Sequence, residues 1–380
     1  MTAAIIGYWD GITGSDETDR LSEHGGNIKR LAERLGIDGG ELVDFSSNIN
    51  PYGPPENVMA AVRRAVESIS EYPEQQAESF VAAAADALRV DPENIVASNG
   101  SIELIYIIPR AWDARRTLLL VPSFTEYEIA LKKIALKKTG AEIAYEKALD
   151  AATALERLEE ASRETDMAII GNPNNPCGYA IGRGDLLDLI DERPGCLWVI
   201  DEAFIDFVEA PERATLANDA IARENVVVLR SLTKMYGIAG LRLGYMIGST
   251  ALARKVRAEK HPWSVNNIAL EAGIAALGAG DFAESSAASL AAEARRLSLE
   301  ISGVAGLRVY EPSTNYILVE IEDGERSMTS AKLQVEMLRR GIAIRDCGSY
   351  TGLDERYFRV AVKRPRDNDR LLAALRVCLP

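Results

Sequence analysis

Short apolar runs alternate with helix-like segments along most of the chain. Helical periodicity lies between several of the runs, for example over residues 102–114 and 150–165. The runs themselves are apolar on both faces and rich in β-branched residues: "NIVAS", "TLLLVPS", "AEIAYE", "DMAIIGN", "CLWVIDE", "NVVVLRS" and "GYMIGS". Strands that are apolar on both faces are typical of a mostly parallel sheet covered by helices. The pattern therefore predicts an α/β fold with a mostly parallel, seven-stranded sheet.

The pattern changes after about Asn267. One long helical stretch, "ALEAGIAALGAGDFAESSAASLAAEARRLSLEIS", is followed by "YILVEI", a helix near "SAKLQVEMLRRG", the runs "IAIRDC" and "YFRVAVK", and a last helix at "RDNDRLLAALRVCL". This order predicts a smaller α/β lobe. We therefore expect an N-terminal arm over residues 1–45, a large domain over 46–272 and a small C-terminal domain over 273–380.

Composition narrows the class of protein. The chain has 380 residues, of which 47% are hydrophobic and 26% charged, and its formal net charge is −14. An acidic surface repels phosphate backbones, so we expect no nucleic-acid partner, and an anionic substrate must be bound by a local basic cluster. No apolar run reaches ~18 residues, which predicts no membrane partner. The N-terminal segment lacks the basic start of a signal peptide.

The cysteines give no sign of a metal site or a disulfide framework. They are far apart and form no CxxC pair, which favours a reducing compartment and a cytoplasmic location. The four are Cys177, Cys196, Cys347 and Cys378.

Polar residues stand directly after four of the predicted strands, where open α/β sheets carry their ligand sites. They are Asn99-Gly100-Ser101 after "NIVAS", the turn "NPNNPCG" after "MAIIG", Asp201 and Glu202 after "CLWVI", and Ser231, Thr233 and Lys234 after "VVVLR". Each group also has a structural interpretation, as a helix N-cap, a plain turn or a solvated carboxylate. Their occurrence together favours one ligand site at this edge of the sheet.

The chemistry of these groups matches one cofactor. A helix N-terminus, the hydroxyls of Ser231 and Thr233, and the Arg242 guanidinium are suited to a phosphate. Asp201 offers a carboxylate, and Lys234 offers an amine nucleophile. Phosphate, ring cation and aldehyde are the three groups of pyridoxal 5′-phosphate (PLP) that a protein binds, with a lysine Schiff base and an acidic partner for the pyridinium nitrogen. The sequence therefore predicts a PLP site centred on Lys234.

The motif "SLTKMYGIAGLRLGY" resembles the lysine motif of fold-type I PLP-dependent transferases, in the histidinol-phosphate aminotransferase branch of the aspartate aminotransferase superfamily. "NPNNPCG" and "DEAF" follow the order of that family. Within the branch, the chain most resembles the threonine-phosphate decarboxylases over roughly residues 23 to 379. The narrower resemblance lies in "HGGNIKRLAERLGI", "LVDFSSNINPYGPP", "EYPE", "DEAFIDF", "PWSVNNIA" and "IAIRDCGSYTGLDERYFRVAV".

The resemblance implies roles for individual residues. Lys234 would be the Schiff-base lysine and a proton carrier, and Asp201 would pair with the pyridine N–H. Asn175 would donate to the ring 3-oxygen, and Phe124 would lie on the ring face. Gly100, Ser101, Ser231, Thr233 and Arg242 would bind the cofactor phosphate, together with Tyr72 from a second subunit, which implies a homodimer. Arg359 would bind the substrate carboxylate, and His24, Asn50, Asn315 and Arg345 are candidates for the substrate phosphate or carboxylate.

Two residues depart from the aminotransferase pattern. Phe204 stands in "DEAF" where that branch usually has a Tyr that donates to the ring 3-oxygen, which removes a hydrogen bond worth about 1 kcal/mol. The decarboxylase relatives also carry Phe here, so the departure favours them. Cys177 replaces the usual Thr of the "NPxG" turn, and nothing in the sequence gives it a mechanistic role.

The implied activity is PLP-dependent decarboxylation of L-threonine O-3-phosphate to (R)-1-amino-2-propanol O-2-phosphate, in cobalamin biosynthesis. Two other enzymes remain open: a histidinol-phosphate aminotransferase and a decarboxylase of L-serine O-phosphate. A third alternative is a non-enzymatic regulator with a PLP fold. That alternative would require a DNA-binding segment, for which neither terminus has the charge.

Overall fold

The computed structural model of the protein describes Gly26 and residues 42–135, 141–322 and 328–379. His24 and most of the expected N-terminal arm therefore lie outside the described residues. The strands are β1 (Val43–Asp44), β2 (Ile95–Ser98), β3 (Arg116–Val121), β4 (Glu142–Lys147), β5 (Met167–Gly171), β6 (Leu197–Asp201), β7 (Val226–Ser231), β8 (Gly244–Ile247), β9 (Leu307–Val309), β10 (Tyr316–Ile321), β11 (Ile342–Ala343), β12 (Arg345–Asp346) and β13 (Tyr357–Ala361). The helices are α1 (Glu56–Ala65), α2 (Glu78–Leu88), α3 (Ser101–Ala111), α4 (Thr125–Ala135), α5 (Ala151–Ala161), α6 (Arg183–Asp191), α7 (Leu232–Met235), α8 (Thr250–Glu259), α9 (Asn267–Leu277), α10 (Gly280–Ser302), α11 (Ser330–Leu338) and α12 (Pro365–Cys378).

The larger sheet contains the seven strands that the apolar runs predict. Their order is β2-β8-β7-β6-β5-β3-β4. The pairs from β7 through β4 are parallel, and β8 is antiparallel to both of its neighbours. The predicted seven-stranded, mostly parallel sheet is confirmed, and the carboxyl ends of β3, β5, β6 and β7 meet at one edge.

Burial along the strands explains the sequence pattern. Every residue of β5 and of β6 is buried, because helices cover both faces of the sheet at its centre. Strand β4, at the sheet edge, has only exposed and half-buried residues. No helix in the described part of the chain is both long and apolar enough to cross a bilayer.

A second sheet follows in the C-terminal part. It is antiparallel, in the order β12-β13-β10-β9, and α10, α11 and α12 pack against one another or against its strands. The run "IAIRDC", expected as one strand, is divided into β11 and β12 by Ile344. Strand β11 instead pairs in parallel with β1, at the start of the chain segment that leads to the pocket.

The long helical stretch after residue 267 is two helices and not one. Helix α9 ends at Leu277 and packs against α1 and α2, whereas α10 begins at Gly280 and runs to the second sheet. Gly278 and Gly280 lie at the break, and glycine is a poor helix former. The predicted domain boundaries at residues 45 and 272 stay a prediction.

Candidate active site

A pocket opens at the shared carboxyl edge of the parallel strands, with about 950 Å³ of empty space when the open solvent at its mouth is included. Its lining includes Asp201 and Ser231, the last residues of β6 and β7, and Arg345 and Arg359 of the second sheet. The pocket lining consists of Ser46, Ser47, Asn48, Ser101, Ile102, Phe124, Tyr127, Pro173, Asn175, Asp201, Ala203, Phe204, Ser231, Thr233, Lys234, Arg242, Arg345, Tyr350 and Arg359.

Lys234 projects from the short helix α7, directly after β7. Burial lowers the pKa of its amine to about 8, with help from the positive charges of Arg242 and Arg359 and against the opposing charge of Asp201. The amine of a lysine with this pKa is largely neutral, and therefore nucleophilic, at mildly alkaline pH. The amine is therefore suited to attack an aldehyde.

Asp201 is a buried carboxylate held in place by two donors. The Tyr127 hydroxyl donates to Oδ2 at 2.8 Å, and the Ala203 N–H donates to Oδ1 at 3.0 Å. Burial raises the pKa of Asp201 despite these hydrogen bonds. A ring N–H⁺ beside the carboxylate would offset this cost of burial, so the site fits the pyridinium of PLP.

The groups that suit a phosphate converge beside Lys234. The hydroxyls of Ser231 and Thr233 lie 2.7 Å apart. Arg242 has a left-handed backbone, with φ +61°, and its guanidinium lies over Gly100, at the N-terminus of α3. A Cβ on Gly100 would stand 2.6 Å from Nη2 of Arg242, so only glycine leaves room for the guanidinium. The cluster fits the phosphate of PLP.

Two buried arginines of the second sheet line the same pocket. Arg345 and Arg359 are only 4% and 5% exposed. Arg359 donates to the Asn175 Oδ1 and, at 2.8 Å, to the Ser46 carbonyl, and its guanidinium lies 5.4 Å from the Tyr316 ring centroid. Two guanidinium groups in one pocket of a net acidic protein favour a ligand that carries two anionic groups.

Ten of the predicted site residues come together in this pocket: Ser101, Phe124, Asn175, Asp201, Ser231, Thr233, Lys234, Arg242, Arg345 and Arg359. Gly100 lies just behind Arg242 and does not line the pocket.

Three further predicted residues lie away from the lining. Asn50 donates from Nδ2 to the Met235 carbonyl, and Asn315 donates from Nδ2 to the Asn48 carbonyl, so both side chains bind backbone. Tyr72 is 88% exposed, with its ring centroid 5.9 Å from that of Trp263. The candidate His24 lies outside the described residues.

Several lining residues are not among those that the sequence predicts. Tyr127 stands three positions after Phe124 on the first turn of α4, so helical spacing could have placed both side chains on the pocket side. Ser46, Ser47 and Asn48 belong to "FSSNIN", from which only Asn50 was selected. Tyr350 has no such signal, because only the fold brings its ring to 5.5 Å from the Arg345 guanidinium.

The two departures from the aminotransferase pattern have different surroundings. Phe204 lines the pocket, with its ring edge-on to Tyr316 at 5.0 Å between centroids. Cys177 is buried outside the pocket lining, and its Sγ lies 3.9 Å from the Ala148 carbonyl oxygen. Burial raises the pKa of the Cys177 thiol well above its ordinary value, which agrees with a packing role.

Comparison with known proteins identifies the family. The family described as aminotransferase class I and II matches residues 40–375, so the chain belongs to that family. Threonine-phosphate decarboxylase of Salmonella typhimurium is 36% identical over 360 residues, which are 93% of this chain and 96% of that protein. Histidinol-phosphate aminotransferase of Methanothermobacter thermautotrophicus is 30% identical over 355 residues, 92% of each chain.

A solved structure agrees. L-threonine-O-3-phosphate decarboxylase from Porphyromonas gingivalis aligns with a TM-score of 0.80 at 27% identity, over 88% of this chain and 98% of that chain. The expected fold-type I architecture, the resemblance to threonine-phosphate decarboxylases and the expected cofactor are confirmed. The protein is a PLP-dependent enzyme.

Proposed function

We propose that this protein decarboxylates L-threonine O-3-phosphate to (R)-1-amino-2-propanol O-2-phosphate, a step of cobalamin biosynthesis. The observation that carries the proposal is the pair of buried arginines, Arg345 and Arg359, in the same pocket as Lys234. Threonine phosphate has two anionic groups, a carboxylate and a phosphate, and two guanidinium groups match both.

The residues that would hold PLP follow from the chemistry of the donor set. Asp201 would bind the ring nitrogen, with Tyr127 orienting the carboxylate. Arg242, Ser231, Thr233 and the N-terminus of α3 would bind the phosphate. When bound, PLP supplies a protonated ring that withdraws electrons from the substrate Cα.

The side chains of the protein orient the substrate and deliver the proton that replaces its carboxylate. Arg359 binds the carboxylate, and because the Asn175 Oδ1 already accepts from Arg359, the Asn175 Nδ2 remains to donate to the ring 3-oxygen. Decarboxylation breaks the bond from Cα to the carboxylate carbon, releases CO₂ and leaves the electron pair at Cα. Lys234, whose pKa is lowered to about 8, then delivers a proton to Cα.

Anchoring at two ends decides which bond breaks. Bound PLP would assist cleavage of whichever Cα bond the protein orients for it, and anchors at both ends of the substrate would fix its rotation. Arg345 is our candidate for the substrate phosphate, together with His24. Phe204, which cannot donate to the ring 3-oxygen as the aminotransferase Tyr does, supports decarboxylation over transamination.

Two alternatives share the same pocket. Histidinol-phosphate aminotransferase activity is supported by the relative at 30% identity. Decarboxylation of L-serine O-phosphate is the other alternative, because its substrate lacks only one methyl group. One methyl group discriminates by only about 1–3 kcal/mol.

The test is an assay of purified holoenzyme. With L-threonine O-3-phosphate and no keto acid, we expect release of CO₂ and retention of PLP. With histidinol phosphate and 2-oxoglutarate, we expect no glutamate. Formation of glutamate without CO₂ release from threonine phosphate would show that the enzyme is a histidinol-phosphate aminotransferase. Faster CO₂ release from serine phosphate would show that L-serine O-phosphate is the preferred substrate.

We also propose that the enzyme is a cytoplasmic homodimer in which Tyr72 of each subunit reaches the cofactor phosphate of the other. The exposure of Tyr72 supports this role, since neighbouring apolar side chains are exposed with it: Ile69 is 69% exposed and Trp263 50%. Tyr72 and Trp263 are in ring contact, and exposed apolar side chains grouped in this way are typical of an interface.

A further inference from the structure

The segment Ser46–Asn50, which we call the pocket strap, is tied down by side chains from a distant part of the chain. Arg359 donates to the Ser46 carbonyl at 2.8 Å, and Asn315 donates to the Asn48 carbonyl at 3.2 Å. At the end of the strap, the Asn50 N–H donates to the Lys234 carbonyl at 3.1 Å. The strap therefore joins the anion-binding wall of the pocket to the backbone of the catalytic lysine.

Lys363 supplies the two remaining ties. Its ammonium donates to the Ser47 carbonyl at 3.2 Å and to the Ile49 carbonyl at 3.4 Å. With Arg359 and Asn315, every carbonyl from Ser46 to Ile49 receives a side-chain donor.

The backbone of Lys363 is itself fixed. The Asn368 side chain accepts from the Lys363 N–H at 3.0 Å and donates to the Lys363 carbonyl at 2.8 Å, and Asn368 is fully buried. The Asn368 Nδ2 also donates to Glu293 of α10 at 2.9 Å. The backbone of Lys363 is therefore held in place by its hydrogen bonds with the buried Asn368, and its ammonium binds the strap from a fixed position.

We propose that Lys363 is a positioning residue for substrate binding: its ammonium fixes the pocket strap so that Ser46, Ser47 and Asn48 form the pocket wall. This inference rests on the proposed function, because it concerns the same site. Lys363 does not line the pocket, so it acts through the strap.

The physical argument has two parts. The strap is held by side chains at four of its five carbonyls, so it loses conformational freedom before the substrate binds, and this preorganisation lowers the entropy cost of binding. Lysine also fits the geometry, since one ammonium carries three donors and can bind two carbonyls at once. Burial lowers the pKa of Lys363, while the charges of Asp44 and Asp367 oppose that shift.

The test compares holoenzymes that carry Lys363→Met, Lys363→Arg and Arg366→Met. Arg366 is exposed on the first turn of α12, and its replacement removes the same charge near the same place without touching the strap. We expect Lys363→Met to raise KM for the phosphorylated substrate about tenfold, with kcat near that of the unmodified protein, because the two charge-assisted hydrogen bonds that fix the strap are lost. Lys363→Arg should restore KM, and Arg366→Met should leave it unchanged.

Amide hydrogen exchange gives a readout that is independent of the reaction. Peptides that contain the strap should exchange faster in Lys363→Met and not in Arg366→Met. Unchanged KM and unchanged strap exchange in Lys363→Met overturn the inference, as does an equal rise in KM in Arg366→Met. If Lys363→Met does not fold, Lys363→Gln is expected to show the same changes at smaller size, and a folded Gln variant without them overturns the proposal equally.

The inference and the proposed function fail in different ways. A wrong reaction appears in the unmodified protein, as an absence of CO₂ from threonine phosphate. A wrong role for Lys363 appears only in its variants, with whichever phosphorylated substrate the unmodified protein turns over.

Discussion

At the scale of single residues, the ionisation of Lys234 gives a direct test of the site. Burial, Arg242 and Arg359 lower its pKa to about 8, from an ordinary value of 10.5. The amine is protonated below that pKa and neutral above it, and only the neutral amine attacks the aldehyde. Covalent attachment of PLP to the apoprotein, trapped with borohydride, should therefore accelerate as the pH rises and level off above about 8.

Variants of the neighbours of Lys234 test the cause of this shift. Arg359→Met removes a positive charge and should move the midpoint to higher pH, whereas Asp201→Asn removes a negative charge and should move it to lower pH. Mass spectrometry should find the pyridoxyl group on Lys234, and Lys234→Ala should bind PLP without covalent attachment and without turnover. A label on another lysine would contradict the assignment of the site.

Arg359 is expected to affect the substrate more than the cofactor. Replacement by Ala removes a charge-assisted bond to the substrate carboxylate, worth about 1.5–3 kcal/mol, so KM should rise roughly ten- to a hundred-fold. The affinity for PLP, measured by equilibrium titration, should change much less. Arg356→Ala is the matched control, because Arg356 is paired with Asp354 and Glu320, outside the pocket lining. An equal loss of PLP in Arg359→Ala would place this arginine in the cofactor site instead.

At the scale of elements, a buried ion pair joins the ends of β6 and β7. The Arg230 Nε lies 2.8 Å from the Glu202 Oε2, and the Glu202 side chain is completely buried. Glu202 also accepts from the Thr215 hydroxyl and the Leu216 N–H. The Glu202 carboxylate therefore stabilises the packing of the two strand ends and is not available to the ligand.

Breaking this pair should destabilise the fold. Among the residues that the structure describes, Glu202→Ala leaves the buried Arg230 with Asp206 as its remaining ion-pair partner, and we expect the free energy of unfolding to fall by about 3–5 kcal/mol in urea titration. Glu56→Ala is the control, because its pair with Arg63 is solvent-exposed and contributes little. If both variants unfold at the same urea concentration, the buried pair is not what secures these strand ends.

The sequence predicted elements well where burial alone decides them. Six of the seven strands of the large sheet are mostly or fully buried, and they follow from apolar runs because a strand buried on both faces needs apolar residues throughout. Strand β4, at the sheet edge, was also predicted although none of its residues is buried. The sequence did not predict the break between α9 and α10, nor the division of "IAIRDC". Both depend on which neighbour each part packs against: α9 packs on α1 and α2, and β11 pairs with β1. Periodicity contains no information about such partners.

At the scale of the whole molecule, the site residues that stand in motifs at the ends of predicted strands could be predicted from the sequence. The contacts between distant segments of the chain could not. Lys234, Asp201 and Arg242 carry functional groups that match those of PLP at the predicted sheet edge, so these residues could be predicted from the sequence. The strap ties cannot be derived this way, since Arg359 and Ser46 are 313 positions apart in the chain. Asn50 and Asn315 illustrate the limit, because their amide groups bind backbone instead of lining the pocket.

The proposed dimer makes a prediction about two chains at once. If Tyr72 acts across the interface, each pocket combines Lys234 of one subunit with Tyr72 of the other. Tyr72→Ala should then weaken retention of PLP, and Lys234→Ala should abolish turnover. The exposure of Tyr72 in the single chain, 88%, leaves its side chain accessible to a second subunit.

Mixing the two variants tests this arrangement. After subunit exchange, a dimer with one Tyr72→Ala subunit and one Lys234→Ala subunit contains one pocket with both native residues, provided that Tyr72 acts in trans. Activity and PLP retention should then recover above those of either variant alone, and sedimentation should show the size of a dimer. If Tyr72 acts within its own chain, each pocket of the mixed dimer lacks one residue, and mixing restores nothing. A monomer in sedimentation at the assay concentration would contradict the dimer itself.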